Sequence, residues 1–274
     1  MGKKVIGTCE LCEEKDVELQ DSHIISKLVY KRLKLKSNSR FRNFFDIEHF
    51  QQDGEKEYLL CKKCEQKFSG YEREFTNKFL DPYRKNGKIK LINCNEYDNF
   101  IYSINWRVIN SEMRKLHEQN QFNDSDLSTL INLEESLNIY LNNESVTTVD
   151  RVKNYILYLD DLKLTKEIKS FYKEFVFGYA FKTDKGRKYI IMTQFLGVIL
   201  LTVYEPNVKF IDMSSNIIDM LKYSFLYKNK IDRFISDELE LLFKDCIIPQ
   251  AIKNKEIMEQ KPEIKESIVK AHNK

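Results

Sequence analysis

Residues 9–12 of the chain read Cys-Glu-Leu-Cys, and residues 61–64 read Cys-Lys-Lys-Cys. Each Cys-x-x-Cys pair can form a turn whose thiolates point at one ion, and four thiolates satisfy the tetrahedral preference of structural zinc. A gap of 48 residues between the pairs is longer than in a simple zinc ribbon, so the metal would clamp a complete supersecondary unit. We therefore predict one structural zinc ion held by Cys9, Cys12, Cys61 and Cys64. The alternative, a redox dithiol, has no need of a second pair.

The composition of the 274-residue chain, of which 42% is hydrophobic, allows a substantial core in one large or two modest domains. No apolar run reaches the length of a membrane span and the N-terminus lacks a signal-peptide core, so we expect a cytoplasmic protein with no membrane partner. In a reducing compartment, the isolated Cys94 and Cys246 are interpreted as small buried hydrophobes. The net charge is only +3, so an argument for nucleic-acid binding depends on where the charge lies.

Periodicity in the first segment indicates alternating strands and helices. The predicted elements are a strand at 17–21, a helix at 24–35 beginning just after His23, a polar and aromatic excursion at 37–54, a short lead at 58–60, and a helix at 64–79 stopped by Asp81-Pro82. All the candidate metal-binding and catalytic residues lie in this segment, which we assign to an N-terminal domain of residues 1–94.

The remaining residues, 95–274, carry no cysteine pair, glycine-rich loop or histidine cluster. The predicted elements are helices at 100–116 and 127–141, a strand at 175–181, a turn at 184–186, further strand structure at 188–204, and a charged helical tail at 231–274 broken by Pro262. The chain is therefore predicted to be α+β, with a mostly helical accessory domain that contains a small antiparallel β region. Sensing, partner binding or homodimerisation are the roles open to it.

Between the two pairs, residues 21–25 read Asp-Ser-His-Ile-Ile, where the predicted strand ends and the helix begins. Together with residues 9–12 and 59–65, this order resembles the zinc-bearing HNH, or ββα-metal, endonucleases. In that family a strand ending in Asp-His or a similar pair is followed by Ile-Ile. A later Leu-Cys-x-x-Cys then opens a helix whose next residue is His or Asn. The resemblance covers about a third of the chain and implies an N-terminal HNH-like ββα module.

The resemblance also implies a mechanism. His23 would be the general base that deprotonates water for attack on a DNA phosphodiester, while magnesium or manganese neutralises the developing charge. By position, the nearest oxygen ligands for this ion are Asp21 and Glu65. A histidine at a strand-to-helix junction can instead cap the helix or bond a buried carbonyl, which is the structural alternative.

Two positions depart from the family pattern. Ser22 stands where an aspartate ligand is common, and Glu65 occupies the slot usually held by His or Asn. Side chains two apart on a strand share a face, so Asp21 could still orient His23 or reach the metal. One stripe of the following helix carries Glu65, Ser69 and Glu72. These departures keep open an alternative function, a catalytically inactive zinc module that binds nucleic acid or a protein partner.

A basic run spans residues 26–42, with seven cations and no acidic residue. It predicts contacts to the nucleic-acid backbone, with weak sequence preference. The residues assigned to this surface are Lys27, Lys31, Arg32, Lys34, Arg40 and Arg42. The alternative is a solvated helix face. Family analogy suggests a bacterial self-defence or phage-defence effector, and a third interpretation is a structural zinc domain that serves an unknown activity in the C-terminal half.

Overall fold

The computed structural model describes residues 4–33, 41–51, 53–87, 97–119, 123–183, 188–206 and 217–272 of the chain. Helices and small antiparallel sheets alternate along it, which confirms the predicted α+β class. None of the helices within these ranges is long and apolar enough to cross a membrane.

The N-terminal sheet has three antiparallel strands in the order β1-β2-β5. These strands are β1 (Val5–Gly7), β2 (Val17–His23) and β5 (Lys56–Cys61). β2 is followed by helix α1 (Lys27–Leu33), and β5 runs directly into helix α2 (Lys62–Phe75). The strand predicted at 17–21 is confirmed, and the first helix begins four residues after His23 rather than directly behind it.

The register between β2 and β5 defines two ends of this sheet. Leu19 pairs with Cys61 at one end, and His23 pairs with Lys56 at the other. The cysteine pair and the histidine that the sequence singles out are therefore held apart by the length of β5.

A hairpin occupies part of the segment for which the sequence predicts a polar and aromatic excursion. Strand β3 (Phe41–Asn43) pairs with strand β4 (Asp46–Gln51). Between them, the ring of Phe44 contacts the rings of Phe171 and Phe175, with centroids 5.5 and 5.3 Å apart. The hairpin is thus supported by aromatic contacts to a part of the chain that is distant in sequence.

The second helix does not stop at Asp81-Pro82, as the sequence predicts. It passes into a π-helical turn at Thr76–Leu80 and then into helix α3 (Asp81–Asn86). Proline is tolerated in the first turn of a helix, so this dipeptide begins α3 instead of ending the helical run.

The larger sheet has four antiparallel strands in the order β6-β9-β8-β7. These are β6 (Val152–Tyr158), β7 (Phe177–Lys182), β8 (Tyr189–Phe195) and β9 (Val198–Tyr204). Leu196 and Gly197 make the turn between β8 and β9 with φ of 51° and 79°. The sequence predicts all of these strands except β6, and the turn predicted at 184–186 lies outside the described residues.

Six further helices complete the described chain. They are α4 (Asp98–Gln119), α5 (Asp124–Asn142), α6 (Lys166–Lys173), α7 (Ile217–Leu242), α8 (Ile248–Gln260) and α9 (Pro262–His272). A π-helical turn at Phe243–Ile247 joins α7 to α8 and exposes Cys246, so the expectation that Cys246 is buried is wrong. Cys94 lies outside the described residues.

Helix α4 packs between α2 and the larger sheet. Phe75 of α2 stacks on Phe100 of α4 with ring centroids 4.0 Å apart, and Phe68 meets Trp106 edge-on at 5.9 Å. The other face of the larger sheet forms a second core with α6 and α7. One core therefore contains residues from both sides of the predicted boundary at residue 94, which itself lies outside the described residues.

Candidate functional site

The four paired cysteines meet at one point. Their sulfur atoms all lie within 4.8 Å of one another, and the Sγ atoms of Cys12 and Cys61 are 3.8 Å apart. A tetrahedral zinc ion with Zn–S bonds of about 2.3 Å separates its sulfur ligands by about 3.8 Å. Cys9, Cys12, Cys61 and Cys64 thus form the predicted cluster, and it could hold a zinc ion.

Backbone groups support the first cysteine of this cluster. Glu13 takes a left-handed conformation with φ of 57°, and its N–H donates to the Cys9 carbonyl at 2.8 Å. The N–H of Cys61 donates to Cys9 Sγ at 3.2 Å. Burial opposes ionisation, but N–H donors from Cys12, Cys61 and Leu11 outweigh it and lower the pKa of the Cys9 thiol. The thiolate is the form of cysteine that binds metal, so these donors suit a metal ligand.

His23 occupies the last position of β2, and its side chain is only 9% exposed. Its Nε2 lies 2.9 Å from Oδ2 of Asp53, an ion-pair distance that lacks the alignment of a hydrogen bond. Burial lowers the pKa of the imidazole below its ordinary value; Asp53 opposes this shift, and Lys56 and Lys27 add to it. At neutral pH the ring is therefore uncharged and able to accept a proton.

Asp53 reaches His23 from the loop that precedes β5. Gly54 allows this loop to approach the chain closely, because a Cβ at that position would lie 2.0 Å from Cζ of Tyr30. Sequence reasoning missed Asp53. Its only signal was the pairing of β2 with β5, which brings the residues just before β5 beside the end of β2.

A cleft of about 370 Å³ opens beside His23, between α1 and α2. Side chains from both helices line it, together with His23 and Arg107; they are Lys27, Leu28, Lys31 and Arg32 of α1, and Glu65, Ser69, Glu72, Arg73 and Thr76 of α2. The α2 residues recur at helical spacing, so one face of that helix borders the cleft, including the stripe of two glutamates and a serine. With five cations and two carboxylates, the lining is positive on balance.

Both carboxylates of the cleft are hydrogen-bonded. Ser22 Oγ donates to Glu65 Oε2 at 2.7 Å, and Arg107 Nη2 donates to Glu72 Oε1 at 3.0 Å. Ser22, one of the two residues that depart from the HNH pattern, thus orients the other, Glu65. Within the described ranges, the four cysteines are the only group of three or more His, Cys, Asp or Glu side chains close enough to hold a metal ion. A divalent ion in the cleft would need water or substrate oxygens to complete its coordination.

Asp21 is placed apart from the cleft. Its carboxylate is 51% exposed and pairs with Lys56 at 3.1 Å. The β2–β5 register shifts between Gln20 and Asp21, just before the regular pairing of Asp21 with Tyr58 and of His23 with Lys56. Lys56 also approaches Asp53 at 3.6 Å, so Asp21 is linked to His23 only through two other side chains. Its role as a ligand of a catalytic ion stays a prediction.

The predicted basic surface is described in part. Lys27, Lys31 and Arg32 lie on α1 and line the cleft. Arg32 pairs with Asp81 at 2.7 Å, whereas Lys27 and Lys31 are exposed and form no ion pair with a described residue. Arg73 of α2, which the sequence did not single out, adds another exposed cation. Outside the described part of the chain lie Lys34, Arg40 and the side chain of Arg42.

Comparison of the chain with protein-family models, with curated proteins and with solved structures finds no match. The resemblance to HNH endonucleases, which the sequence motifs suggest, has no support from these comparisons and stays a prediction. The described structure contains a four-cysteine cluster fit for a metal ion. His23, which pairs with the opposite end of β5, lies buried in the wall of a cationic cleft.

Proposed function

We propose that this protein is a zinc-stabilised, metal-dependent HNH-like endonuclease that hydrolyses DNA phosphodiester bonds with His23 as the general base. The observation that carries the proposal is the position of His23, a buried imidazole in the wall of a cationic cleft with the carboxylate of Asp53 beside it. Hydrolysis of a phosphodiester needs a proton acceptor and positive charge close together, and this cleft supplies both.

The carboxylate of Asp53, 2.9 Å from Nε2 of His23, influences which ring nitrogen carries the proton. A carboxylate beside Nε2 favours the tautomer that carries its proton there, which leaves the lone pair on Nδ1. A water molecule at Nδ1 would lose its proton to the ring as it attacks phosphorus. Asp53 would then stabilise the imidazolium that forms. The lowered pKa of His23 keeps the accepting form populated at neutral pH.

The exposed cations of the cleft supply the phosphate contacts. Lys27 and Lys31 on α1 and Arg73 on α2 border the same space and have no described acidic partner. Cations of this kind hold the nucleic-acid backbone and carry little sequence information. We therefore expect cutting with weak or shape-based sequence preference.

Glu65 is the carboxylate in the cleft that we expect to bind magnesium or manganese; Asp21, the second ligand predicted from the sequence, lies apart from the cleft and pairs with Lys56. When bound, the ion supplies positive charge to the phosphate and to the leaving oxygen. Magnesium commonly takes one or two protein carboxylates and keeps several waters, so the small number of carboxylates here suits it. Ser22 bonds one oxygen of Glu65 and thereby fixes the direction of the other.

Nicking of supercoiled plasmid by the purified, zinc-loaded protein, with and without magnesium or manganese, tests the proposal. We expect metal-dependent cutting that falls by about 100-fold or more in His23→Ala. His49→Ala is the matched control, because His49 is 78% exposed and pairs with Asp46 on its own hairpin. Absence of cutting by folded wild-type protein with either metal would contradict the nuclease function.

A second function, a catalytically inactive zinc module that binds nucleic acid or a protein partner, is favoured by one observation. Both cleft carboxylates already have protein partners, Glu65 in Ser22 and Glu72 in Arg107. An inactive binding module would retain DNA affinity in His23→Ala. It would lose affinity, and part of the salt dependence, when Lys27 and Lys31 are both changed to Gln. Mobility-shift titrations at low and high salt measure this affinity, and the plasmid assay separates the two functions, because binding without metal-dependent cutting by the wild type is expected only of the inactive module.

A further inference from the structure

Arg107 is an arginine of α4 whose side chain is only 1% exposed. Its Nη1 donates to the His23 carbonyl at 2.8 Å, its Nη2 to Glu72 Oε1 at 3.0 Å, and its Nε to the Ser103 carbonyl at 3.2 Å. The guanidinium also lies over the ring of Phe68, 5.4 Å from its centroid. An arginine stays charged at any physiological pH, so these contacts compensate the cost of burying it.

The contacts of Arg107 join three elements at the wall of the cleft. His23 ends β2 and Glu72 lies on α2, both in the segment that carries the cysteines. Arg107 lies 84 residues after His23, in the segment beyond residue 94. If Arg107 only filled space in the core, an apolar side chain of similar volume would stabilise the fold equally well. The pairing with a cleft carboxylate and with the backbone of the proposed base therefore points to a role in the site.

We infer that Arg107 is a positioning residue, which holds the backbone of His23 and the carboxylate of Glu72 in the geometry that the cleft chemistry requires. This inference rests on the proposed function and assigns part of the site to the segment after residue 94. Without the guanidinium, the His23 carbonyl loses a charge-assisted hydrogen bond and Glu72 becomes an unpaired charge. Because the lost hydrogen bond held the backbone that carries the imidazole, we expect the ring to move from its place beside Asp53.

Variants of Arg107 test the inference against a matched control on the same helix. Arg107→Met removes the hydrogen bonds and keeps much of the volume, and Arg107→Lys keeps the charge and one point of contact. Asn105→Ala is the control. Asn105 is fully buried and bonds Thr202 and Thr193 of the larger sheet at 2.7 and 2.6 Å, so its loss also removes two buried hydrogen bonds but none in the cleft.

Two readouts are measured at a temperature at which every variant is folded. The first is kcat and KM for metal-dependent plasmid cutting. The second is the position of the His23 imidazole cross-peak in a carbon–proton NMR spectrum at one pH, assigned with His23→Ala. In Arg107→Met we expect kcat to fall about tenfold or more with little change in KM, and the His23 cross-peak to move. In Arg107→Lys we expect partial rescue, and in Asn105→Ala neither change.

An unchanged kcat and an unmoved cross-peak in folded Arg107→Met would overturn the inference. An equal loss of kcat in Asn105→Ala would overturn it as well, because the effect would then follow stability alone. If wild-type protein does not cut DNA, the proposed function fails, and the cross-peak still decides the positioning role. If Arg107→Met does not fold, Arg107→Lys carries both readouts, and a kcat and cross-peak equal to wild type would count against the inference.

Discussion

The two ends of β5 hold the two groups of functional interest, and they are built in different ways. At one end, the four cysteines meet from two short motifs, and backbone turns within those motifs aim the sulfur atoms. At the other end, His23 and its cleft draw on parts of the chain beyond β2 and α1. These parts contribute Asp53 from a loop, Glu65 and Glu72 from α2, and Arg107 from α4. A metal cluster can be encoded locally, whereas the cleft depends on the complete fold.

The two ends also differ in energetic consequence. A structural metal contributes its binding free energy to folding, so a zinc ion at the cysteine end would stabilise the N-terminal sheet. The cleft end buries the side chains of Arg107 and His23, which are costly to bury without partners. Changes at the cysteines should therefore act on folding, and changes at the cleft should act first on chemistry.

The largest effect is expected from breaking the cysteine end. Cys61→Ser removes one of four ligands, and structural zinc contributes about 10 kcal/mol or more to the folding of small zinc domains. We expect loss of bound zinc and loss of protection in β1, β2 and β5. Atomic emission measures the zinc content, and hydrogen exchange measures the protection.

Cys246→Ser is the control for the cysteine change. Cys246 is exposed in the π-helical turn after α7, far along the chain from the cluster, so zinc content and protection should equal those of the wild type. Retention of one zinc ion per chain by Cys61→Ser, with native protection, would show that the cluster does not organise the sheet.

A smaller effect is expected at the cleft end from Asp53→Asn. The amide keeps the size of the side chain but no longer stabilises an imidazolium on His23, so kcat should fall about tenfold or more with KM nearly unchanged. Asp46→Asn, beside the exposed His49, is the matched control. Steady-state cutting rates measure the change, and a wild-type kcat in Asp53→Asn would remove Asp53 from the mechanism.

The smallest effect is expected in the pH dependence of stability. The pKa of His23 in the folded protein lies below the ordinary value of 6.5, so the unfolded chain binds a proton more readily. The stability linked to neutral His23 is therefore present above that value and is lost as the pH falls below it. Urea unfolding should show that wild type loses more free energy of unfolding on acidification than His23→Gln. Parallel pH profiles would contradict the lowered pKa.

Elements with strong local patterns were predictable from the sequence. The strand ending near His23 and the long helices α4 and α5 follow from period-two and helical spacing, and the cysteine cluster follows from its paired motifs. The β3–β4 hairpin and β6 were missed, because aromatic contacts from Phe44 to the α6 region and pairing with β9 stabilise them. These interactions join residues that are far apart in the sequence.

The site was predictable to the same extent. Helical spacing places Glu65, Ser69 and Glu72 on one face, and all three line the cleft. Asp53 and Arg107 reach His23 across long stretches of chain, so no local pattern marks them. A register shift cannot be read from alternating residue types, so the irregular pairing of β2 with β5 between Gln20 and Asp21 could not be predicted from the sequence.

The stacking of Phe75 on Phe100 limits which parts of this chain could be exchanged by recombination. If residues 4–87 were separated from the rest of the chain, the rings of Phe68 and Phe75, which now pack on α4, would be exposed. Each buried aromatic side chain removes about 150–250 Å² of surface from solvent, so the separated piece would expose a hydrophobic patch prone to association. Recombination that replaced the second segment would have to preserve the α4 surface. Because α4 also packs on the larger sheet, a portable unit of this protein would have to contain residues 4–87, α4 and that sheet.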